Sequence, residues 1–268
     1  MMHTHLLDRY REAQSVIHRL DPRVKVVVTL LFIVSTALLP DGAWFAFALS
    51  FILVLSCSFL ARLGVTFALR RSFVVLPFAL AAITAIIAVP GRPLFMWQIG
   101  GTTIIGTDAG VVRFLSILAR SWLSVQMAIV LTATTNVPDL LHALRHLRVP
   151  EVLVAIVGFM LRYLSVLADE AARLLRAREA RSALLANRRG GGSPGWRARV
   201  AGYMAGQLFL RSYERSDRVY NAMLARGFAG RFLAINPHLM REHDWWALAV
   251  TVVALTVVQL AGQGFPPG

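Results

Sequence analysis

The stretch VKVVVTLLFIVSTALLPDGAWFAFALSFILVLSCSFL, residues 24–60, decides the fold. Its two apolar runs, Val24–Leu39 and Ala43–Leu60, are separated only by Pro40-Asp41-Gly42, a combination typical of turns. A helix needs about 20 apolar residues to cross the hydrocarbon core of a bilayer, and each run approaches that length. The stretch therefore predicts two antiparallel transmembrane helices joined by a tight turn.

Apolar runs of the same kind recur along the rest of the chain. Hydrophobic residues make up 57% of the 268 residues, above the roughly half that is usual for soluble domains. Three further runs approach the length of a span: Ser72–Val89, Phe114–Thr135 and Trp245–Leu260. The polar, glycine-containing connection from Val89 to Gly110 indicates an exposed loop. We expect an all-α, polytopic integral membrane protein with about five transmembrane helices plus long cytoplasmic helices.

The distribution of charge predicts the orientation of these spans. Lys and Arg number 28 against 14 Asp and Glu, a formal net charge of +14. The segments before the first span, between the second and third, and from residue 136 to 243 hold five, three and seventeen basic residues, whereas the two opposite connections hold Arg92 alone. Because basic residues near span ends accumulate on the cytoplasmic side, we expect the N-terminus and the long segment to be cytoplasmic. The membrane would be the bacterial inner membrane, and the positive charge then requires no nucleic-acid partner.

This topology divides the chain into three parts. Residues 1–135 hold the N-terminal tail and four spans, residues 136–243 form a cytoplasmic or interfacial region, and residues 244–268 hold the last span. The apolar stretch Val152–Ala168 could be a further span, but if it spanned alone, fourteen arginines after it would lie outside, against the charge rule. We therefore expect long helices that are partly embedded at the cytoplasmic face.

The middle region contains signals for three helices. Asn136 and Pro138 open a short amphipathic helix, Pro150 and Glu151 open a second that runs to about Arg181, and a third runs from about residue 198 to 225. The glycine-rich residues 187–196 between the last two predict a flexible hinge.

Motifs for chemistry are absent from the sequence. The sole lysine, Lys25, follows no glycine-rich loop, so the chain cannot build the phosphate-binding loop of an ATPase. His142 and His146 have the i,i+4 spacing of two metal ligands, but no third ligand is evident, and a solvated or interfacial pair is the simpler interpretation. His3 and His5 belong to a polar tail. We expect no metal site, no cofactor and no catalysis in this chain.

Arg120 is unusual because it lies inside the fourth apolar run, roughly 9 Å from its start by helical rise. An arginine at that depth is costly unless its guanidinium reaches the interface or finds a partner. The sequence leaves open whether Arg120 snorkels to the interface or makes a buried contact within a complex.

The stretch NAMLARGFAG, residues 221–230, allows two interpretations. In the first, Gly227 adopts the left-handed conformation that ends helices, and Arg226 complements the negative end of the helix dipole. In the second, Arg226 projects from the helix end to pair with a carboxylate of a partner protein. The two are compatible, since a glycine terminus gives the arginine a fixed position.

Four motifs resemble the transmembrane (T) component of energy-coupling factor (ECF) transporters, in particular the cobalt-type CbiQ family. They are HRLDPRVKV (18–26), TTNVPDLLHALRHLRVPEVLV (134–154), RYLSVLADEAARLLRAREAR (162–181) and, most specifically, LFLRSYERSDRVYNAMLARGF (208–228). The resemblance covers nearly the whole chain. It implies a non-catalytic scaffold that joins a substrate-binding membrane subunit for the metal ion to two cytoplasmic ABC ATPases, which use ATP.

The resemblance also implies two ATPase-coupling motifs. In this family, Ala-Arg-Gly-like motifs end the coupling helices, and each arginine docks in a groove of one ATPase. Ala225, Arg226 and Gly227 match fully, whereas the first motif falls on Ala177, Arg178 and Glu179 and departs at its third position, with Arg181 as the alternative. The substrate implied is divalent cobalt, with nickel as the alternative.

Two other classes of function compete with this interpretation. An autonomous secondary transporter would need intramembrane acidic residues or an inverted repeat, and neither is evident in the sequence. A membrane-anchored interaction protein would use the basic helices alone.

Overall fold

The computed structural model describes residues 15–63, 72–99, 102–181, 193–228 and 240–264. The chain forms two compact units. We call the described residues from 15 to 147 and from 240 to 264 the bundle, and those from 148 to 228 the helix pair.

The bundle is helical apart from one β-hairpin. The helices, in chain order, are α1 (Val16–Arg19), α2 (Pro22–Leu38), α3 (Trp44–Leu60), a 3-10 turn (Ser72–Val75), α4 (Leu76–Ala82), α5 (Thr84–Ala88), α6 (Asp108–Thr134), α7 (Val137–His146) and α10 (Glu242–Gly264). The helix pair consists of α8 (Glu151–Arg181) and α9 (Pro194–Ala225).

The two predicted helices α2 and α3 and the tight turn between them are confirmed, although both pack on α6 and α10 more than on each other. Asp21 caps α2 by accepting a hydrogen bond from the backbone N–H of Arg23, and Pro22 occupies the first turn. The turn between the helices uses Gly42 at φ 80°, a left-handed conformation that costs glycine little. The Gly42 N–H donates to Ser116 Oγ of α6 at 2.9 Å, which ties the turn to the neighbouring helix.

One prediction for residues 72–107 is wrong and one is not tested. The apolar run Ser72–Val89 forms the 3-10 turn and the short helices α4 and α5, and Ile83 between the two helices keeps helical backbone angles. The run is thus helical as expected, and its crossing of the membrane stays a prediction. The expected exposed loop contains a hairpin of β1 (Pro93–Ile99) and β2 (Thr102–Thr107), in which Met96 pairs with Ile105. Aromatic and β-branched residues in both segments favour strands over irregular loop.

The bundle is apolar inside and outside. Its core unites Phe32 of α2, Phe47 and Val54 of α3, Met127 of α6 and Val258 of α10. Large apolar side chains also cover the outer faces, among them Leu30, Phe45, Phe59, Trp246 and Leu260. A contiguous apolar exterior of this extent indicates a hydrocarbon environment.

Three described helices are long and apolar enough to cross a membrane by length and composition: α6, α8 and α10. The helices α2 and α3 are shorter, with 17 residues each. The chain is therefore a multi-pass membrane protein. The apolar part of α8 thus has the length and composition of a span, contrary to the expectation that Val152–Ala168 is only partly embedded at the cytoplasmic face.

The helix pair begins and ends largely as predicted. The bounds of α8 agree with the helix expected from Pro150 to Arg181. The helix α9 starts about four residues before its expected start, because Ser193 Oγ accepts a hydrogen bond from Trp196 N–H and Pro194 fits the first turn. Residues 194–196 of the predicted hinge are thus helical, and residues 187–192 lie outside the described residues. The division at residues 136 and 244 stays a prediction.

Candidate functional site

The end of α9 is closed by two reversed hydrogen bonds. The Gly227 N–H donates to Leu224 O at 2.9 Å, and the Phe228 N–H donates to Met223 O at 3.0 Å. Gly227 lies at φ 79°, as expected for the residue that follows a helix in this Schellman geometry. The prediction that Gly227 ends the helix is confirmed.

Arg226 occupies the C-cap position immediately before this glycine, with φ −91° and ψ 8°. Its side chain is exposed, and among the described residues it takes part in no ion pair. The backbone on both sides is hydrogen-bonded, so the Cα of Arg226 has a defined position while its guanidinium group reaches solvent. Ala225, the last helical residue, is also exposed.

The first predicted motif lies in a different setting. Ala177, Arg178 and Glu179 are all inside α8, which continues to Arg181. Ala177 and Glu179 are exposed, whereas Arg178 is half-buried. The alternative residue, Arg181, is exposed and is the last residue of α8 that the structure describes. Which of the two arginines belongs to the first motif stays a prediction.

A buried carboxylate joins the two helices of the pair. Glu170 of α8 is only 8% exposed, and its two oxygens accept hydrogen bonds from Arg173 of α8 and Arg211 of α9. The residue follows the apolar stretch of α8, and the hydrogen bonds from the two guanidinium groups hold the pKa of Glu170 below its ordinary value. Glu170 therefore links the two helices by ion pairs, and we call Glu170, Arg173 and Arg211 together the Glu170 joint.

Sequence reasoning did not identify this joint. The expected pairing on an exposed face of α9 exists, with Glu214 and Arg218 3.9 Å apart, but it links residues of one helix only. The available signal was the position of Glu170, which lies three residues after Leu167 and four before Leu174 on one stripe of α8. An acidic residue on an apolar stripe indicates a partner on a neighbouring helix.

An apolar groove of about 360 Å³ also lies between the two helices. Phe159, Tyr163 and Leu167 of α8 form one wall, and Val219 and Met223 of α9 form the other. Met223 is also the residue whose carbonyl closes the end of α9. The groove and the Arg226 terminus therefore share the last turns of α9.

Arg120 finds its partners in its own chain. Its guanidinium donates to Leu39 O at 2.6 Å and to Asp41 Oδ1 at 2.7 Å, both at the turn between α2 and α3. It also lies 5.9 Å from the ring centroid of Phe47, within cation-π range. The guanidinium thus reaches from inside α6 to the polar turn at the end of α2, where Asp41 is partly exposed.

The histidine pair is part of the bundle. The rings of His142 and His146 lie 4.6 Å apart, and His142 Nε2 lies 3.3 Å from the Arg23 guanidinium. No group of three or more His, Cys, Asp or Glu side chains that could hold a metal ion occurs among the described residues. His3 and His5 lie outside them. That the chain binds no cofactor or metal stays a prediction.

Comparison with known families agrees with the four motifs. Residues 13–235 match the family described as cobalt transport protein, CbiQ. The chain belongs to the CbiQ family. The match covers most of the chain, including α8, α9 and the Ala225-Arg226-Gly227 motif, so the family resemblance expected from the sequence is confirmed.

Individual relatives place the CbiQ chain among ECF transporter components. The energy-coupling factor transporter transmembrane protein EcfT of Listeria innocua is 26% identical over 99% of this chain and 98% of its own length. The EcfT of Lacticaseibacillus paracasei is 28% identical over 90% of this chain and 92% of its own. A protein of Methanocaldococcus jannaschii named only as uncharacterized is 24% identical over 96% and 86%. Full-length similarity to transporter transmembrane components implies a non-catalytic subunit.

Proposed function

We propose that this CbiQ protein is the transmembrane coupling subunit of an ECF-type ABC importer for divalent cobalt. It transmits ATP hydrolysis by two partner ATPases to a substrate-binding membrane subunit, which carries the ion. The observation that carries the proposal is the end of α9, where a glycine-closed terminus presents an exposed arginine. The family description supports cobalt as the substrate, and the names of the EcfT relatives support the coupling role.

Arg226 is suited to dock in a partner protein. A guanidinium presents five donors in a fixed planar fork, which can pair with a carboxylate through two parallel hydrogen bonds. The reversed hydrogen bonds at Gly227 fix the backbone beside it, so docking restricts only the side chain. Ala225 adds no bulk, which lets a partner surface approach the last turn of α9.

The second ATPase would contact the last described turns of α8. The family motif falls on Ala177, Arg178 and Glu179, and the exposed Arg181 is the alternative contact. Two contacts on two helices suit two ATPase subunits. In this proposal the coupling residues of α8 and α9, together with the N-terminus, lie on the cytoplasmic side of the bacterial inner membrane.

The Glu170 joint gives a physical route for transmission. When closure of the ATPases displaces one helix, the paired carboxylate favours movement of the other helix with it, because separating the helices would break the ion pair between Glu170 and Arg211. Energy passes to the substrate-binding subunit only if that subunit contacts the displaced and resting states differently. The chain itself needs neither ATP nor a cofactor for this work.

The Arg226→Ala variant tests the proposal. We expect it to reach the membrane at the normal level but to lose co-purification of the ATPases and uptake of radioactive cobalt, because the docking cation is gone. Arg218→Ala is the matched control, since Arg218 is exposed on the same helix and makes only a 3.9 Å pair with Glu214. Normal ATPase recovery and cobalt uptake in Arg226→Ala would return the arginine to a purely capping role. Preferential uptake of nickel by the complex with the normal chain would reassign the substrate while leaving the coupling role intact.

A further inference from the structure

A cavity of about 610 Å³ lies within the bundle, at the end where α2 begins. Val24 and Phe32 of α2, Val54 of α3, Met127 of α6 and Leu255 of α10 contribute to its lining. These five side chains are all buried. The cavity therefore reaches into the packed centre of the four helices.

The cavity lies between α3 and α10 and opens to the outer surface of the bundle. At the other end of the bundle the helices pack closely, since a Cβ on Gly262 of α10 would lie 2.7 Å from the Leu39 side chain and 3.5 Å from that of Ala46. At the cavity end, exposed Leu60 of α3 and Val250 of α10 flank the opening. In a membrane protein this opening faces the acyl chains of the bilayer.

The wall of the cavity offers little to a polar ligand. Four hydroxyl groups line it, and three of them donate to a carbonyl of their own helix at 2.8 Å: Ser56 to Ile52, Thr134 to Val130, and Thr251 to Ala247. The fourth belongs to Thr29, which is buried. Since a buried water needs two or more polar partners, an apolar wall of this kind favours a hydrocarbon occupant over water.

One end of the cavity is cationic. Arg19, Lys25 and His243 belong to its lining. Arg19 is exposed and takes part in no ion pair among the described residues. Lys25 Nζ donates to two neutral acceptors, His18 O and Thr134 O, each at 3.1 Å.

Three carboxylates, those of Asp139, Asp21 and Asp244, lie near enough to the buried Lys25 to interact with its charge. None of them forms an ion pair with Lys25 or Arg19 among the described residues. Asp244 lies 3.9 Å from His243 Nε2, and its oxygens accept hydrogen bonds from the backbone N–H groups of Asp21 and Arg241. Its side chain is also buried. The exposed groups at this end are therefore basic.

We propose that this cavity binds an anionic glycerophospholipid, with an acyl chain between α3 and α10 and the phosphate at Arg19, Lys25 and His243. Basic pockets between transmembrane helices are suited to anionic lipid headgroups. A helix of a partner subunit does not fit, because a helix about 10 Å wide fills roughly 400 Å³ in each 5.4 Å turn. The cavity holds between one and two turns, far from the length of a span.

The first test measures headgroup preference. The full chain, purified in mild detergent, is mixed with phosphatidylglycerol or with phosphatidylcholine of the same acyl chains, and bound lipid is counted by native mass spectrometry. We expect phosphatidylglycerol to be retained preferentially, and Arg19→Gln to lower its retention about fivefold, the size expected for one basic side chain near an anionic lipid. Arg92→Gln, which removes an exposed arginine outside the cavity, is the control and should leave retention unchanged. Equal retention of the two lipids overturns the proposal.

The second test fills the cavity. Ala254 lines it, whereas the neighbouring Val253 is exposed and does not. Ala254→Trp should abolish retention of phosphatidylglycerol, and Val253→Trp, which places the same indole on the outer face, should not. If both variants fold and retain lipid equally, the lipid sits elsewhere and the proposal fails.

A third readout needs no cavity variant, in case Ala254→Trp does not fold. Cys57 is the only cysteine of the chain and lines the cavity, so its modification by N-ethylmaleimide reports access to this site. We expect phosphatidylglycerol to slow the modification several-fold more than phosphatidylcholine does. Equal rates with the two lipids contradict the proposal. Slowing that occurs only with a partner membrane subunit present assigns the cavity to that subunit instead.

Discussion

A glycine is required at position 227 because of the backbone conformation there, and not because a side chain would clash with its surroundings. No heavy atom lies within 4 Å of a Cβ placed on it, yet its φ of 79° is one that other residues rarely adopt. We expect Gly227→Ala to cost about 1 kcal/mol at this helix end and to weaken ATPase binding less than Arg226→Ala does. Gly227→Asn is the matched control, because asparagine tolerates the left-handed region better than alanine. ATPase co-purification checks both variants, and equal recovery from them would mean that the conformation of Gly227 does not position Arg226.

Arg120 gives a second prediction for a single residue. Replacing it with glutamine removes the cation from the Leu39 carbonyl and from Asp41, and we expect a loss of about 1–2 kcal/mol, since both partners are only part-buried. Arg113 offers the control. Its Nε lies 3.9 Å from the other oxygen of Asp41, and its side chain is more exposed, so Arg113→Gln should change little.

The measurement for this pair is the thermal unfolding midpoint in detergent. The double variant Arg120→Gln/Asp41→Asn should lose less than the sum of its two single variants, because each single change already breaks the same interaction. A strictly additive double variant would show that the two side chains do not cooperate.

At the scale of helices, we expect loss of the Glu170 joint to uncouple ATP hydrolysis from uptake while the complex stays assembled. Glu170→Gln keeps the shape of the side chain but removes the charge that Arg173 and Arg211 share. We expect the complex to assemble and hydrolyse ATP while uptake per ATP falls about fivefold or more, the usual lower range for coupling between sites. Glu214→Gln is the control, since Glu214 pairs only within α9.

The joint is also expected to persist near neutral pH. The folded-state pKa of Glu170 is depressed, so its stabilising contribution is fully present above the ordinary pKa of a glutamate and is lost as the pH falls through the lower folded value. The defect of Glu170→Gln should therefore be the same across the neutral range. A defect that disappears on mild acidification would contradict the assignment.

Helices whose ends carry local signals could be predicted from the sequence. Pro150 and Glu151 mark the start of α8, and Gly227 marks the end of α9, because capping depends on neighbours in the chain. The partners of Arg120 and Glu170 could not be predicted, since each is set by packing between helices distant in sequence. The hairpin of β1 and β2 was not predicted either. Glycine and polar residues in this segment indicated a loop, but pairing between the two strands determined its structure. For the coupling site, the sequence indicated Arg226 but not the joint behind it.

The whole molecule combines an apolar exterior with a large excess of positive charge. Exposed side chains such as Phe59 and Leu260 suit contact with lipid tails, whereas most of the 28 basic residues lie outside the apolar runs. Such a chain needs lipid around its apolar part and water around its basic part. This division of the CbiQ chain into an apolar part and a basic part is compatible with the proposed function.

The 17-residue length of α2 and α3 affects the bilayer itself. At 1.5 Å per residue each helix extends about 25 Å, less than the roughly 30 Å of a typical hydrocarbon core. The 23-residue α10 is longer, but its apolar run, Trp245–Leu260, has only 16 residues and extends about 24 Å. The apolar lengths of α2, α3 and α10 are therefore all shorter than the core, and the bilayer beside them must become thinner to match. A subunit that turns within the membrane would meet less hydrocarbon to cross beside these helices.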